Sequence, residues 1–229
     1  AQVLGVLAQD VAELRSLAPD CAATFAEPPL DAVLSCVVPS LTEAWSVALE
    51  TACHAHPVVV GPGLKTGVPM RYRDPAEIGP DRIANVVAAR ATYGAPVAVV
   101  DFGTTMNIEV IDAEGVFLGG IIAPGLALGA QALSRAAARL PVIELHAPKA
   151  VIGRSTREAM QSGVVFGEVA RIDGLLDRVF DELGGEARVV LTGSGAGRVA
   201  PLMSHAAEVD ETLTLRGLHQ LRLGVTRRG

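Results

Sequence analysis

The chain has 229 residues, 50% of them hydrophobic and 19% charged, with a formal net charge of −6. Such a composition supports one large domain or two small ones with a substantial core, and it excludes a disordered chain. It offers no basic footprint for nucleic acid or for an anionic membrane surface, and no stretch approaches the roughly 18 apolar residues of a membrane helix. Cys21, Cys36 and Cys53 are an odd number without paired spacing, so reduced thiols in a cytoplasmic, soluble protein are expected.

No basic segment followed by an apolar one opens the chain, and its first residue is Ala1. Val3, Leu4, Leu7, Val11 and Leu14 immediately follow helical spacing, which predicts a chain that starts inside an element and is truncated there. Residues 31–38 then read as a strand, 40–53 as a helix capped by Ser40, and 57–60 as a short buried strand. A Gly/Pro-rich loop over 61–75 is long enough to be functional, and Ile83, Val86, Val87 and Arg90 place a helix over 80–93.

From Pro96 the pattern changes to a meander of strands at 97–101, 107–112 and 116–122, turning at Ala113-Glu114-Gly115. Helices at 125–138 and 156–183 follow, then a strand at 188–191, a Gly-rich turn at 193–197 and two further helical stretches. The first half shows the later part of a similar order, which predicts an internally duplicated α/β fold lacking its first hairpin. The domains expected are residues 1–94 and 95–229.

In Asp101-Phe102-Gly103-Thr104-Thr105 an acidic residue ends a Val-rich strand and Gly103 permits a tight turn. Backbone N–H groups and hydroxyls there suit a phosphate and Asp101 suits a cation, although an ordinary hairpin turn has the same composition. Gly61-Pro62-Gly63-Leu64-Lys65-Thr66-Gly67 is not a P-loop, because Leu64 stands where the Walker loop requires Gly. It is either a rigid substrate loop carrying Lys65 or a plain connection.

At Gly79-Pro80-Asp81-Arg82 a carboxylate opens a helix. Asp81 serves either as a capping residue or as the acceptor of a hydroxyl proton, with Arg82 fixing an anionic substrate. Cys53-His54-Ala55-His56 lacks a second ligand group at metal spacing and reads as a helix terminus. No Ser/His/Asp arrangement is suggested by His146, His205 or His219.

Taken in order, these segments resemble type III pantothenate kinases, members of the acetate and sugar kinase, Hsp70 and actin superfamily. The resemblance is carried by the 61–67 loop followed by Tyr72, Gly79-Pro80-Asp81-Arg82, Asp101 to Thr104, the Gly119-Gly120-Ile121-Ile122-Ala123-Pro124-Gly125 run, and the segment from Thr156 to Gly163. It implies a duplicated ribonuclease H-like (actin-like ATPase) fold with a truncated first domain. It also implies ATP-dependent phosphorylation of pantothenate, the first step of coenzyme A synthesis, by a homodimer using Mg²⁺ and a monovalent cation, K⁺ or NH₄⁺.

By the same resemblance Asp81 is the catalytic base, and Tyr72, Gly79, Pro80, Arg82 and Thr156 join it in binding substrate. Gly103 and Thr104 contact ATP, and Asp101 is the monovalent-cation ligand. Two departures stand out. The family's Asp-x-Gly-Asn-Thr hairpin loop occurs nowhere in this sequence, and Thr105-Met106-Asn107 follows Thr104 where the family continues Ala-Thr-Thr. Losing one of two phosphate loops predicts absent or very weak turnover by these residues alone, since phosphoryl transfer depends on positioning and charge stabilisation. The alternatives are a non-catalytic relative with a ligand-binding or regulatory role, and a different sugar-type kinase.

Overall fold

The computed structural model describes residues 32–137 and 139–226. The helix expected from Val3 to Leu14, the strand start at Asp31 and Cys21 lie outside the described residues. In chain order the elements are β1 Val33–Leu34, α1 Pro39–Cys53, β2 Val58–Val59, a 3₁₀ turn Pro75–Glu77, α2 Pro80–Tyr93, β3 Val97–Phe102, β4 Thr105–Ile111 and β5 Phe117–Pro124. They continue with α3 Leu126–Ala136, α4 Thr156–Leu183, β6 Arg188–Gly193, α5 Ala196–Val199, a 3₁₀ turn Ala200–Leu202, β7 Ala207–Val209 and α6 Leu213–Thr226.

The described residues form two compact units, one of residues 32–67, 73–88 and 214–226, the other of 68–72 and 89–213. In the first, β1 and β2 pair in parallel, Val33 opposite Val58 and Leu34 opposite Val59. Both strands are shorter than the runs expected at 31–38 and 57–60. Ser40 does not cap α1: the N-cap is Val38, which makes no side-chain cap, and Pro39 takes the first turn with its φ already set and no N–H to satisfy. At the other end His54 adopts a left-handed φ of 54°, the helix-terminus role expected of the Cys53-His54 segment.

The first turn of α2 belongs to this unit, and residues 82–89 are buried on every side of the helix. Within the unit α2 meets α6 backbone to backbone, since a Cβ at Gly217 would overlap the Ala84 carbonyl and stand 2.9 Å from its Cα. The Thr214 hydroxyl donates to Asn85 Oδ1 at 2.6 Å beside this contact. A glycine at a helix crossing lets two axes approach more closely than side chains would permit.

The second unit is built on a five-stranded sheet of order β5-β4-β3-β6-β7. β3, β4 and β5 are the antiparallel meander expected from the sequence, while β6 runs parallel to β3 and β7 parallel to β6. Alternation along the strands turns Ala98, Val100, Phe102, Met106, Ile108, Val110, Val189 and Leu191 to one face. There they pack on Val169, Ile172, Leu176 and Val179 of α4, a stripe at helical spacing. Ser155 caps α4 through the Glu158 N–H, and Gly184, at φ 72°, ends it. A strand, β7, separates the helical stretches expected after residue 197; at Ala207–Val209 it is too short to show a period of its own. An antiparallel meander extended by parallel strands, with a helix on its face, is the α/β ribonuclease H-like arrangement of the actin-like ATPases.

Candidate active site

β3 and β6 are parallel and end together, Asp101 opposite Thr192 and Phe102 opposite Gly193. The carboxyl edge of parallel strands is where open α/β sheets bind ligands, because the loops that leave it expose backbone groups without disturbing the ladder. Here the loop is 101–105. Asp101 is half-buried, and its register partners are polar and buried on either side, Asn107 on β4 and Thr192 on β6. Register partners share a face, so carboxylate, amide and hydroxyl form one row across the sheet. The Thr105 hydroxyl extends that row, donating to Asn107 Oδ1 at 3.3 Å.

The loop is walled by glycines, two of which leave no room for a Cβ. A Cβ at Gly125 would overlap the Gly103 carbonyl oxygen and stand 2.8 Å from that of Thr104. At Gly193 a Cβ would overlap the Phe102 carbonyl and stand 2.7 Å from Asp101 Oδ1, and at Gly195 it would meet the Phe102 Cβ at 3.1 Å and its ring at 3.3 Å. The Gly125 N–H donates to the Thr104 carbonyl at 3.1 Å, and the Ser194 N–H to that of Phe102 at 3.1 Å. Gly103 and Thr104 are themselves exposed. The result is a tight exposed turn, closed by the Gly103 N–H donating to the Thr105 carbonyl at 3.0 Å and bordered by surfaces kept free of side chains, which suits a polyphosphate beside it. The hard oxygen donors around Asp101 suit a small cation of the alkali or alkaline-earth type. Among the described residues no cluster of three or more His, Cys, Asp and Glu side chains could hold a metal ion by itself.

In the first unit Gly79, Pro80, Asp81 and Arg82 lie together at the start of α2. Asp81 Oδ1 accepts the Arg82 N–H at 2.9 Å, which folds the carboxylate back over the preceding turn. There it stands 2.5 Å from the position a Gly79 Cβ would take, so a larger residue at 79 would turn the Asp81 carboxylate away from this position. Arg82 is buried. Lys65 in the 61–67 loop is exposed, and Gly63 and Gly67 hold φ values of 88° and 76° that turn the chain.

Tyr72 belongs to the second unit, where the strand-like bridge of Met70 to Phe117 brings it against β5. Its ring stacks on Phe117, with centroids 6.0 Å apart and planes 2° from parallel, and lies over Gly119, whose Cβ would come within 3.6 Å of it. Thr156 is exposed at the first position of α4. Sequence reasoning missed Gly193 and Gly195 as parts of the loop's wall, having read the glycines of 193–197 as a turn; the parallel register with β3 is what carries them there.

It also missed Glu168 and Arg171, a buried carboxylate three residues before an arginine within the periodic pattern of α4. Burial raises the Glu168 pKa above 4.5, and the hydrogen bond and charge of Arg171 only partly offset it. The native state therefore holds the Glu168 proton to higher pH than the unfolded chain, and stability falls as pH rises through the window above 4.5. Glu168→Gln removes that slope. Denaturation midpoints measured from pH 4.5 to 7.5 are expected to show the variant gaining on the wild type as pH rises, and parallel pH profiles would contradict the account.

A conserved Baf-family protein from Campylobacter jejuni superposes on the chain with a TM-score of 0.61, at 22% identity, over 91% of this chain and 89% of that one. The family model for type III pantothenate kinase matches residues 6–178. The chain is 43% identical to a type III pantothenate kinase of Moorella thermoacetica, over 81% of this chain and 73% of that protein. It is 45% identical to one from Thermomicrobium roseum, over 81% and 71% respectively. The chain belongs to the type III pantothenate kinase family.

Proposed function

We propose that the protein phosphorylates pantothenate at the expense of ATP, giving 4′-phosphopantothenate and so opening coenzyme A synthesis. The observation that carries this reading is the 101–105 loop with its glycine walls, found in a chain of this family. ATP supplies the phosphoryl group, and Mg²⁺ bound to its phosphates neutralises their charge.

Within this reading Gly103 and Thr104 hold the phosphates, and Gly193 and Gly195 keep the approach clear. Asp101 holds a monovalent cation, K⁺ or NH₄⁺, next to them. Asp81 accepts the proton of the pantothenate 4′-hydroxyl. Its Oδ1 is occupied by the Arg82 N–H, which leaves Oδ2 as the basic atom. Arg82 provides a fixed positive charge suited to the pantothenate carboxylate, and Tyr72, Gly79, Pro80 and Thr156 complete the substrate contacts. Two domains, residues 1–94 and 95–229 apart from 68–72, 89–94 and α6, which fall in the opposite units, divide these roles, and the protein acts as a cytoplasmic homodimer. No helix among the described residues is long and apolar enough to cross a membrane.

The test is acceptor-dependent ADP release by the intact protein in K⁺ buffer, with pantothenate compared against hexoses, glycerol and acetate. Stimulation by pantothenate alone is expected; stimulation by a sugar or acetate in its place would overturn the assignment.

A further inference from the structure

The Pro124–Gly125 peptide is a single rigid plane whose two polar ends are both engaged. Its N–H, on Gly125, donates to the Thr104 carbonyl at 3.1 Å. Its carbonyl, on Pro124, accepts from Arg171 Nη2 at 2.7 Å. Thr104 is the loop residue assigned above to ATP, and Gly125 presses on the carbonyls of Gly103 and Thr104 too closely to admit a Cβ. Whatever sets the tilt of this plane therefore sets the position of the loop.

The guanidinium that holds it is itself held. Arg171 Nη2 also donates to Glu168 Oε2, one turn earlier on α4. The Glu168 side chain is 5% exposed, against 34% for Arg171, and among the described residues its Oε1 has no hydrogen-bond partner. A buried carboxylate whose hydrogen bonding is directed to one guanidinium contributes little to stability, because desolvation offsets most of the attraction. It does restrict the rotamers of that guanidinium, and a planar fork held at a fixed angle gives a directional hydrogen bond.

We propose that Arg171 and Glu168 are positioning residues for the nucleotide loop, transmitting the fixed frame of α4 through the Pro124–Gly125 peptide to Gly103 and Thr104. The inference rests on the reading of 101–105 as the ATP loop. It predicts a loss confined to the nucleotide, since the chain of hydrogen bonds from Glu168 through Arg171 and the Pro124–Gly125 peptide ends on the 101–105 loop.

The decisive variant is Arg171→Met, which keeps the apolar stem and removes the donors, with Arg171→Lys as the conservative partner. The dissociation constant of a non-hydrolysable ATP analogue, measured by calorimetry on the intact protein, is expected to rise about tenfold or more in Arg171→Met and to recover only in part in Arg171→Lys, which keeps a donor but not the planar fork. The KM for ATP should follow, with the KM for pantothenate within about twofold. Equal losses for both substrates, or unchanged ATP affinity, would overturn the proposal. If Arg171→Met fails to fold because it strands a buried charge, Arg171→Met/Glu168→Leu removes that charge and must show the same nucleotide-specific loss. A wild type that binds the analogue without phosphorylating pantothenate would count against the proposed reaction, and the binding series would still decide the role of Arg171.

Discussion

Asp81→Asn is expected to lower kcat for pantothenate phosphorylation by about 10² to 10⁴-fold, the range a positioned general base contributes, while the dissociation constant for pantothenate stays within about threefold. The substitution is close to isosteric. Asn Oδ1 can still accept the Arg82 N–H, so the turn at the head of α2 and the space reserved by Gly79 are kept. What is lost is the second oxygen's ability to take a proton, because the amide nitrogen that replaces it is a donor. Steady-state kinetics alongside calorimetry separates the two quantities, and turnover at the wild-type rate would remove Asp81 from the role of base.

Gly125→Ala should be nearly as damaging, by a different route. Gly125 sits at φ −73° and ψ 166°, a conformation open to any residue, so the added methyl strains no dihedral. Its cost is contact: the new Cβ would overlap the Gly103 carbonyl and crowd that of Thr104, and backbone on both sides leaves no flexible side chain to yield. The loop has to move. A displacement on the order of 1 Å at phosphate-binding groups costs about 10²-fold, so kcat/KM for ATP is expected to fall by that amount. Gly129→Ala, one turn further along α3, meets nothing within 4 Å and serves as the control, with activity unchanged and stability raised by about 0.5–1 kcal/mol. Equal behaviour of the two variants would refute the steric reading.

The long helices were legible because their ends are chemically marked. Pro80 opens α2, and Ser155 and Gly184 bracket α4, whose bounds at Thr156 and Leu183 follow from sequence alone. The meander was legible from its Val-rich first strand and the Ala113-Glu114-Gly115 turn, although β4 and β5 begin and end one or two residues away from the expected positions. Ser40 misled because the helix starts one residue earlier, at Pro39, whose preset φ and missing N–H suit the first position and leave Ser40 inside the helix.

Asp101, Gly103 and Thr104 could be picked out locally, since one strand end and one tight turn hold them. The walls of that site could not. Gly193 lies far along the chain from Phe102 and becomes its neighbour only through the parallel pairing of β3 with β6, a long-range register that no local pattern encodes. Glu168 and Arg171 were hidden for a related reason: an acidic residue three positions before a basic one on a helix reads as a solvated surface pair until its burial is known.

The central claim is the identity of the reaction, and the position of the transferred phosphorus tests it most directly. Phosphorus-31 NMR of a mixture of the intact protein, ATP, Mg²⁺, K⁺ and pantothenate is expected to show a phosphomonoester coupled to the 4′-methylene protons of pantothenate, growing as ADP appears and absent with Asp81→Asn. ADP with free inorganic phosphate, or a phosphoester on any other atom, would contradict it.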